Sequence, residues 1–282
     1  NRHAGYNSAP LADTLIMDFL TPALLGIIEG LTEFLPISST GHLLLAQHLL
    51  GQMQPEYFTV GIQAGAILAV VLVYWAKLWH LITHLRDKGT QHYIAMLALA
   101  FTITAIGGLT VKAFGWELPD AIAPIAWALL IGGVVMLWAE RRTASLPAVD
   151  AAEPIRWQTA VWVGLAQIVA AVFPGTSRSA ASIFAGILSG QNRAAATEFA
   201  FLVGIPTMFA ATGKNFYDQI QTHGAVSIDW FNFGIGFVSA TITAFIAIKW
   251  LLRYIQNHPF TVFAWYRIAF GTGLLLWVYV GA

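Results

Sequence analysis

Six stretches of this chain, at about 57–75, 93–112, 121–139, 196–213, 231–252 and 260–280, run apolar for close to the roughly 20 residues a helix needs to cross a bilayer. Such segments leave few folds open, because in lipid every backbone N–H and C=O must be paired within the protein. Composition agrees: the chain is 57% hydrophobic and 10% charged, against about 25% charged residues in a soluble domain. We therefore expect an all-α integral membrane protein in which these segments are transmembrane helices. Eleven Trp and eight Tyr suit belts at the two membrane surfaces. A net charge of zero suggests no nucleic-acid partner, and the absence of Cys excludes disulfide and thiol chemistry.

Two further regions, 15–50 and 157–190, are apolar but interrupted by Pro and small polar residues at 36–41 and 174–179. The pieces that follow, about 41–50 and 179–189, are too short to span. A non-helical break at membrane depth is tolerated only where protein or a water-filled cavity surrounds it. Both regions are expected to be re-entrant broken-helix hairpins. The alternative is a spanning helix followed by a surface helix. With re-entrant hairpins, nine Lys and Arg fall on one side (Lys77, Arg86, Lys88, Arg141, Arg142, Arg156, Arg193, Lys249, Arg253) and three on the other (Arg2, Lys112, Lys214). By the positive-inside rule the first side is cytoplasmic and both termini face outward.

The first hairpin then enters from outside and the second from the cytoplasm, as an inverted-topology repeat requires. A shift of 138 residues aligns Gly26 with Gly164, Glu29 with Gln167, Pro36 with Pro174, Ser38 with Thr176 and Ser39 with Ser177. Glu56 and Val60-Gly61-Ile62 likewise resemble Glu198 and Val203-Gly204-Ile205. The expected organisation is an N-terminal arm at 1–14 and a first repeat at 15–139, then a cytoplasmic linker at 140–156 and a second repeat at 157–282. Each repeat holds one hairpin and three transmembrane helices.

The chemistry gathers in the two breaks. Glu29 and Glu33 stand four apart on one helix face. Adjacent carboxylates in a nearly uncharged segment need a cation, a proton or an Arg between them. With Arg178 they would cost on the order of 10 kcal/mol if left unpaired in a membrane. A structural ion-pair cluster between the hairpins is the plainer alternative. Pro36-Ile37-Ser38-Ser39-Thr40-Gly41 ends one helix and opens another, and the amides at that new N-terminus attract anions. His42, three positions after Ser39, can reach a hydroxyl or a leaving oxygen as acid or base, although a lone histidine is more often a hydrogen-bonded core residue.

Pro174-Gly175-Thr176-Ser177-Arg178-Ser179 adds three hydroxyls and a guanidinium, which binds phosphate bidentately and keeps its charge. Converging, the breaks suit a phosphate-bearing ligand held by Ser38, Thr40, Thr176, Ser177, Arg178 and Ser179. A divalent cation would bridge Glu29 and Glu33 to phosphate oxygens. The second repeat carries Gln167 and Ala171 in place of the acids, so the two halves divide the work. Arg267 is expected to pair with an acid or line the cavity, and Glu198 to cap or support the second hairpin. His80, His84 and His92 read as a solvated face, since no carboxylate or Cys completes a metal set.

Glu29-x-x-x-Glu33, Leu35-Pro-Ile-Ser-Ser-Thr-Gly-His42 and Pro174-Gly-Thr-Ser-Arg-Ser179 resemble the two signature regions of the bacterial undecaprenyl-pyrophosphate phosphatase family, also known for bacitracin resistance. The likeness runs from about residue 18 to the C-terminus and includes Glu198-Phe199 and Tyr266-Arg267. One departure is Ala180, where the family pattern has Gly. The resemblance implies an inner-membrane phosphatase that removes the terminal phosphate of a C55 isoprenoid pyrophosphate, recycling the lipid carrier of cell-wall precursors. It implies dependence on Mg2+ or Ca2+, with Glu29 and Glu33 as the acidic motif and Ser39, His42 and Arg178 in the active site. A site opening toward the periplasm follows from the first hairpin's orientation. A homodimer stays open. The competing class is a lipid-phosphate transporter or flippase, which shares the broken-helix architecture and needs an anion site.

Overall fold

The computed structural model describes residues 11–115, 121–144 and 153–280, and every regular element among them is helical. The chain runs α1 (Leu11–Thr32), α2 (Ser39–Leu50), α3 (Glu56–Val73), α4 (Trp75–Thr83), α5 (Lys88–Ala113) and α6 (Ile122–Ala144). It continues with α7 (Trp157–Val172), α8 (Arg178–Leu188), α9 (Arg193–His223), α10 (Trp230–Asn257) and α11 (Thr261–Val280). Six of these, α3, α5, α6, α9, α10 and α11, are long and apolar enough to cross a membrane. They match the six expected segments. The first ends early, at Tyr74, where the backbone leaves the helix before α4 begins. The fourth runs longer than expected and continues through Pro206. Most of the expected arm at 1–14, including Arg2, and much of the 140–156 linker lie outside the described residues.

The two interrupted regions form helix–break–helix hairpins, α1–α2 and α7–α8. Their breaks sit at 33–38 and 173–177, slightly earlier than the Pro-to-Gly pattern suggested. The reason is one residue in each. Ser38 (φ 73°, ψ 100°) and Ser177 (φ 69°, ψ 111°) are the positive-φ non-glycine residues among those described. Each turns the chain sharply, so the next helix starts at once, and Thr40, Gly41, Arg178 and Ser179 are already helical. A non-glycine residue held in this region costs of order 1–3 kcal/mol and persists only where its surroundings over-determine it. The matched backbones also revise the 138-residue register past the break: Ser177 corresponds to Ser38, not Ser39. The second break carries one more residue between its proline and this serine.

Close helix packing places the hairpins. Gly26 and Gly30, four apart on α1, face α10; a Cβ at either would collide with the Gly236 carbonyl, the Ala240 carbonyl or the Thr243 hydroxyl. Small residues at this spacing let helix backbones approach without a hydrophobic driving force. α1 thus lies along α10, α7 along α5, and α11 along α6. The largest buried cluster joins Phe34 and Ile37 of the first break to Ile183 and Phe184 of α8, Phe201 of α9 and Ile248 of α10. Outward faces are apolar, with Ile106, Leu109, Trp138, Ile242 and Trp265 all exposed.

Candidate active site

The hairpins meet at Glu33. This buried carboxylate begins the first break and uses both oxygens. Oε1 accepts from the Arg178 guanidinium at 2.7 Å, and Oε2 accepts from the Ser39 hydroxyl at 2.5 Å. Arg178 is the first residue of α8 and Ser39 the first of α2, so the acid joins two helix N-termini, where backbone amides and the helix dipole favour anions. Ser179 adds a second tie, donating to the Leu35 carbonyl at 3.1 Å. Ser177 caps α8, its Oγ accepting from the Ala180 amide at 3.2 Å, and pairs with the Ser179 hydroxyl at 3.0 Å. Ala180, where a glycine was expected, is helical and buried, so its position needs no glycine backbone.

Glu29 lies one turn back on α1, fully buried, and neither carboxylate oxygen has a hydrogen-bond partner. It is close enough to Glu33 and Arg178 to interact with both charges. A buried, unpaired carboxylate pointing at a second acid has donor atoms to spare for a cation. Among the described residues no cluster of three or more acids, His or Cys could hold a metal alone. Glu29 and Glu33 are therefore the two residues here that could contribute to a cation site, whose remaining ligands would have to be waters or substrate phosphates. Gln167, at Glu29's aligned position on α7, is also buried with both amide atoms unpaired.

The ring nitrogens of His42 bond groups other than Ser39. Its Nδ1 lies 2.7 Å from the Ser38 carbonyl and its Nε2 2.6 Å from the Tyr266 hydroxyl. A carbonyl only accepts, so Nδ1 carries the proton; in the neutral ring Nε2 then accepts from Tyr266. The ring also stacks on Phe270 at 4.4 Å between centroids. The group in contact with the Ser39 hydroxyl is Glu33.

Arg267 is fully buried and pairs with no acid in the ion pairs of the described residues, unlike one of the two roles expected for it. Its guanidinium donates to backbone carbonyls instead. Nη1 reaches Thr176 O at 2.8 Å and Pro36 O at 3.4 Å; Nη2 reaches Gly175 O at 3.0 Å and Ala128 O at 3.2 Å. It therefore ties the two breaks to each other and to α6, and Gly132 on α6 leaves the space it needs. Thr176 contributes a carbonyl here, while Thr40 stands exposed on the first turn of α2. Glu198 is held by Lys77 at 3.2 Å and Tyr93 at 3.1 Å, between α4, α5 and α9. The exposed His80 and His84 stack on each other, and His92 bonds the Ile155 carbonyl at 2.7 Å.

Residues 22–273 match the family described as bacitracin resistance protein BacA. The chain belongs to the bacitracin resistance protein BacA family. Within that family it is 52% identical over 262 residues to a protein of Xanthomonas campestris pv. campestris (strain 8004) named undecaprenyl-diphosphatase, covering 93% of this chain and 98% of the relative. A protein of the same name from Rhizobium johnstonii is 54% identical over 260 residues, 92% and 97% of the two chains. Another, from Xanthomonas oryzae pv. oryzae (strain PXO99A), is 51% identical over 262 residues. Every site residue of this BacA-family chain, from Glu29 to Arg267, lies inside the matched region. Sequence reasoning did not pick out Tyr266 as a partner of His42 or Ser182 as a buried hydroxyl beside the Glu33–Arg178 pair. The only sequence signal for the first was a polar Tyr-Arg pair inside the last apolar segment.

Proposed function

We propose that this chain is a membrane phosphatase that hydrolyses undecaprenyl pyrophosphate to undecaprenyl phosphate and inorganic phosphate, returning the lipid carrier to cell-envelope synthesis and conferring bacitracin resistance. The observation that carries the reading is the bridge from Ser39 through Glu33 to Arg178. It aligns a hydroxyl, a carboxylate and a guanidinium at two helix N-termini. Extensive identity to proteins named undecaprenyl-diphosphatase supports the same reaction.

In this reading Arg178 and the amides opening α2 and α8 hold the pyrophosphate, and Ser38, Thr40, Thr176, Ser177 and Ser179 line its surroundings. Glu29 and Glu33 would hold Mg2+ or Ca2+, which supplies neutralisation of charge developing on the phosphate oxygens. Glu33 Oε2 is placed to take the Ser39 proton as the hydroxyl attacks the terminal phosphorus, or to fix Ser39 while it orients a water. Stabilising that charge should account for most of the catalysis, as in other phosphoryl transfers. His42, clamped by Ser38 and Tyr266, sets the first turn of α2. Arg267 is a positioning residue for both breaks; Gln167 supports from α7.

The fold reading that accompanies this is a pair of re-entrant hairpins in an inverted repeat, 15–139 and 157–282. The pairing of α1 with α10 and of α7 with α5 supports it, because the two contacts exchange when the halves are swapped. So do the matched Ser38 and Ser177 backbones. The protein would sit in the bacterial inner membrane with both termini and the site's opening on the periplasmic side, and a homodimer is compatible with it. A flippase would need the anion site but not a hydroxyl bonded to a carboxylate. The test is phosphate release from a prenyl pyrophosphate by the purified protein. Wild type should release phosphate and Arg178→Ala should lose it by about 10²–10³-fold, the usual effect of removing one charge-stabilising donor. Lipid translocation without phosphate release would overturn the reading.

A further inference from the structure

One buried group beside the site has no assigned role. Ser182 lies on α8, one helical turn after Arg178, and is 1% exposed. Its Oγ has no hydrogen-bond partner. A buried hydroxyl without a partner costs about 1–3 kcal/mol, so one that persists requires an explanation. Ser182 lines a cavity of about 20 Å³ whose wall also includes Glu33, Arg178, Ser179, Gly204 and Met208. A cavity holds a water when it offers about 10–15 Å³ or more and two to four polar partners. This one clears the volume condition for a single molecule, and Glu33, Arg178 and Ser179 are the other polar residues of its wall.

We propose that the cavity between α8 and α9 binds one water, held by Ser182 beside the Glu33–Arg178 pair, and that this is the water consumed in the hydrolysis. The inference rests on the phosphatase reading above. It holds whether Ser39 or water attacks first, because either route ends with water at phosphorus. The water oxygen donates a lone pair to form the new P–O bond. The bond to the leaving oxygen, either the oxygen bridging the two phosphorus atoms or Ser39 Oγ, breaks with its electron pair on that oxygen. One water proton stays on the new phosphate and the other passes to the leaving oxygen. Ser182 positions the nucleophile without touching the substrate.

Gly204 makes a clean test possible. A Cβ there would meet only the Ile67 Cδ1 at 3.6 Å and the Met208 Sδ at 4.0 Å, so Gly204→Ala adds a methyl at a residue of the cavity wall without a clash. The experiment measures kcat and KM for phosphate release from a prenyl pyrophosphate by the full-length protein. Ser182→Ala and Gly204→Ala should each lower kcat by about tenfold, the loss expected when one oriented hydrogen bond to a nucleophile is removed, with KM within about twofold of wild type. Ser182→Thr, which keeps the hydroxyl, should recover most of the kcat lost in Ser182→Ala. If Ser182→Ala misfolds, Gly204→Ala alone decides. An active wild type with kcat unchanged in these variants, or a loss confined to KM, overturns the water site. A wild type that releases no phosphate overturns the phosphatase reading instead.

Discussion

Glu33 and Arg178 are 145 positions apart in the chain and 2.7 Å apart in the structure. Each comes from a different hairpin, so neither hairpin builds the site alone. The other oxygen of Glu33 is held by Ser39, so one carboxylate sets the placement of both the guanidinium and the hydroxyl. The carboxylate is 7% exposed and the guanidinium 29%. Desolvation at that depth makes the contact more useful for orientation than for net stability.

Because the Ser39 hydroxyl donates to Glu33, the two should behave as a unit. Ser39→Ala and Glu33→Gln are each expected to lower kcat for phosphate release by at least about 10²-fold, and the double variant should lose little more than the worse single. A double-mutant cycle on kcat checks this. Simple additivity would mean the two residues act independently.

Removing divalent cations should abolish phosphate release, and Mg2+ or Ca2+ should restore it. Glu29→Gln keeps the shape of a fully buried side chain but removes the charge a cation needs. It should raise the metal concentration for half-maximal activity by about 10-fold or more. Titrating chelated enzyme with metal measures both effects. An unchanged metal dependence in Glu29→Gln would remove that residue from the cation's ligands.

Arg267 donates to the Pro36, Gly175 and Thr176 carbonyls at the two breaks. Arg267→Met would bury them unpaired, at about 1–3 kcal/mol for each carbonyl left without a donor. The expected outcome is a lower melting temperature in detergent together with lost activity. Arg267→Lys should recover only part, because one ammonium cannot span both breaks. A small decrease in activity with an unchanged melting temperature would contradict the clamp.

Tyr266→Phe removes the donor to His42 Nε2 but keeps the ring stacked beside it. One net hydrogen bond is worth about 1 kcal/mol, so activity should fall by roughly fivefold. The Ser38 contact should hold the ring's Nδ1–H tautomer. Imidazole 15N shifts in a selectively labelled sample report the tautomer directly.

Asp87, before α5, lies outside the membrane-spanning segments and caps that helix by accepting from the Thr90 amide at 2.8 Å. This backbone bond, with a smaller side-chain bond to Thr90, holds its carboxyl below the usual value. The sign follows: a lowered folded pKa gives stabilisation that is present above the unfolded value of about 3.9 and is lost as pH falls through the folded one. The protection factor of the Thr90 amide, its exchange rate relative to the unfolded chain at the same pH, should therefore fall on acidification. Asp87→Asn still caps but cannot titrate, so its exchange should lack that acid-dependent step.

Hydropathy made the six spanning helices and the two interrupted hairpins legible, because twenty apolar residues or a Pro-Ser break is a local property of the chain. The carboxylate pair and the Arg that must answer it were legible for the same reason: charge in an apolar segment stands out wherever the chain later folds. The pairing of partners was not. The three-residue spacing from Ser39 to His42 suggested a catalytic pair, yet the imidazole turns to Ser38 and to Tyr266, 224 positions away. Arg267 carried no sign of its partners, since they are backbone carbonyls and every residue type has one. By itself the sequence determined which groups are costly to bury and therefore must meet something. Only the tertiary structure decided what each one meets, because partners are chosen by helix packing at Gly26 and Gly30 and by the positive-φ serine turns at Ser38 and Ser177, which bring together residues far apart in the chain.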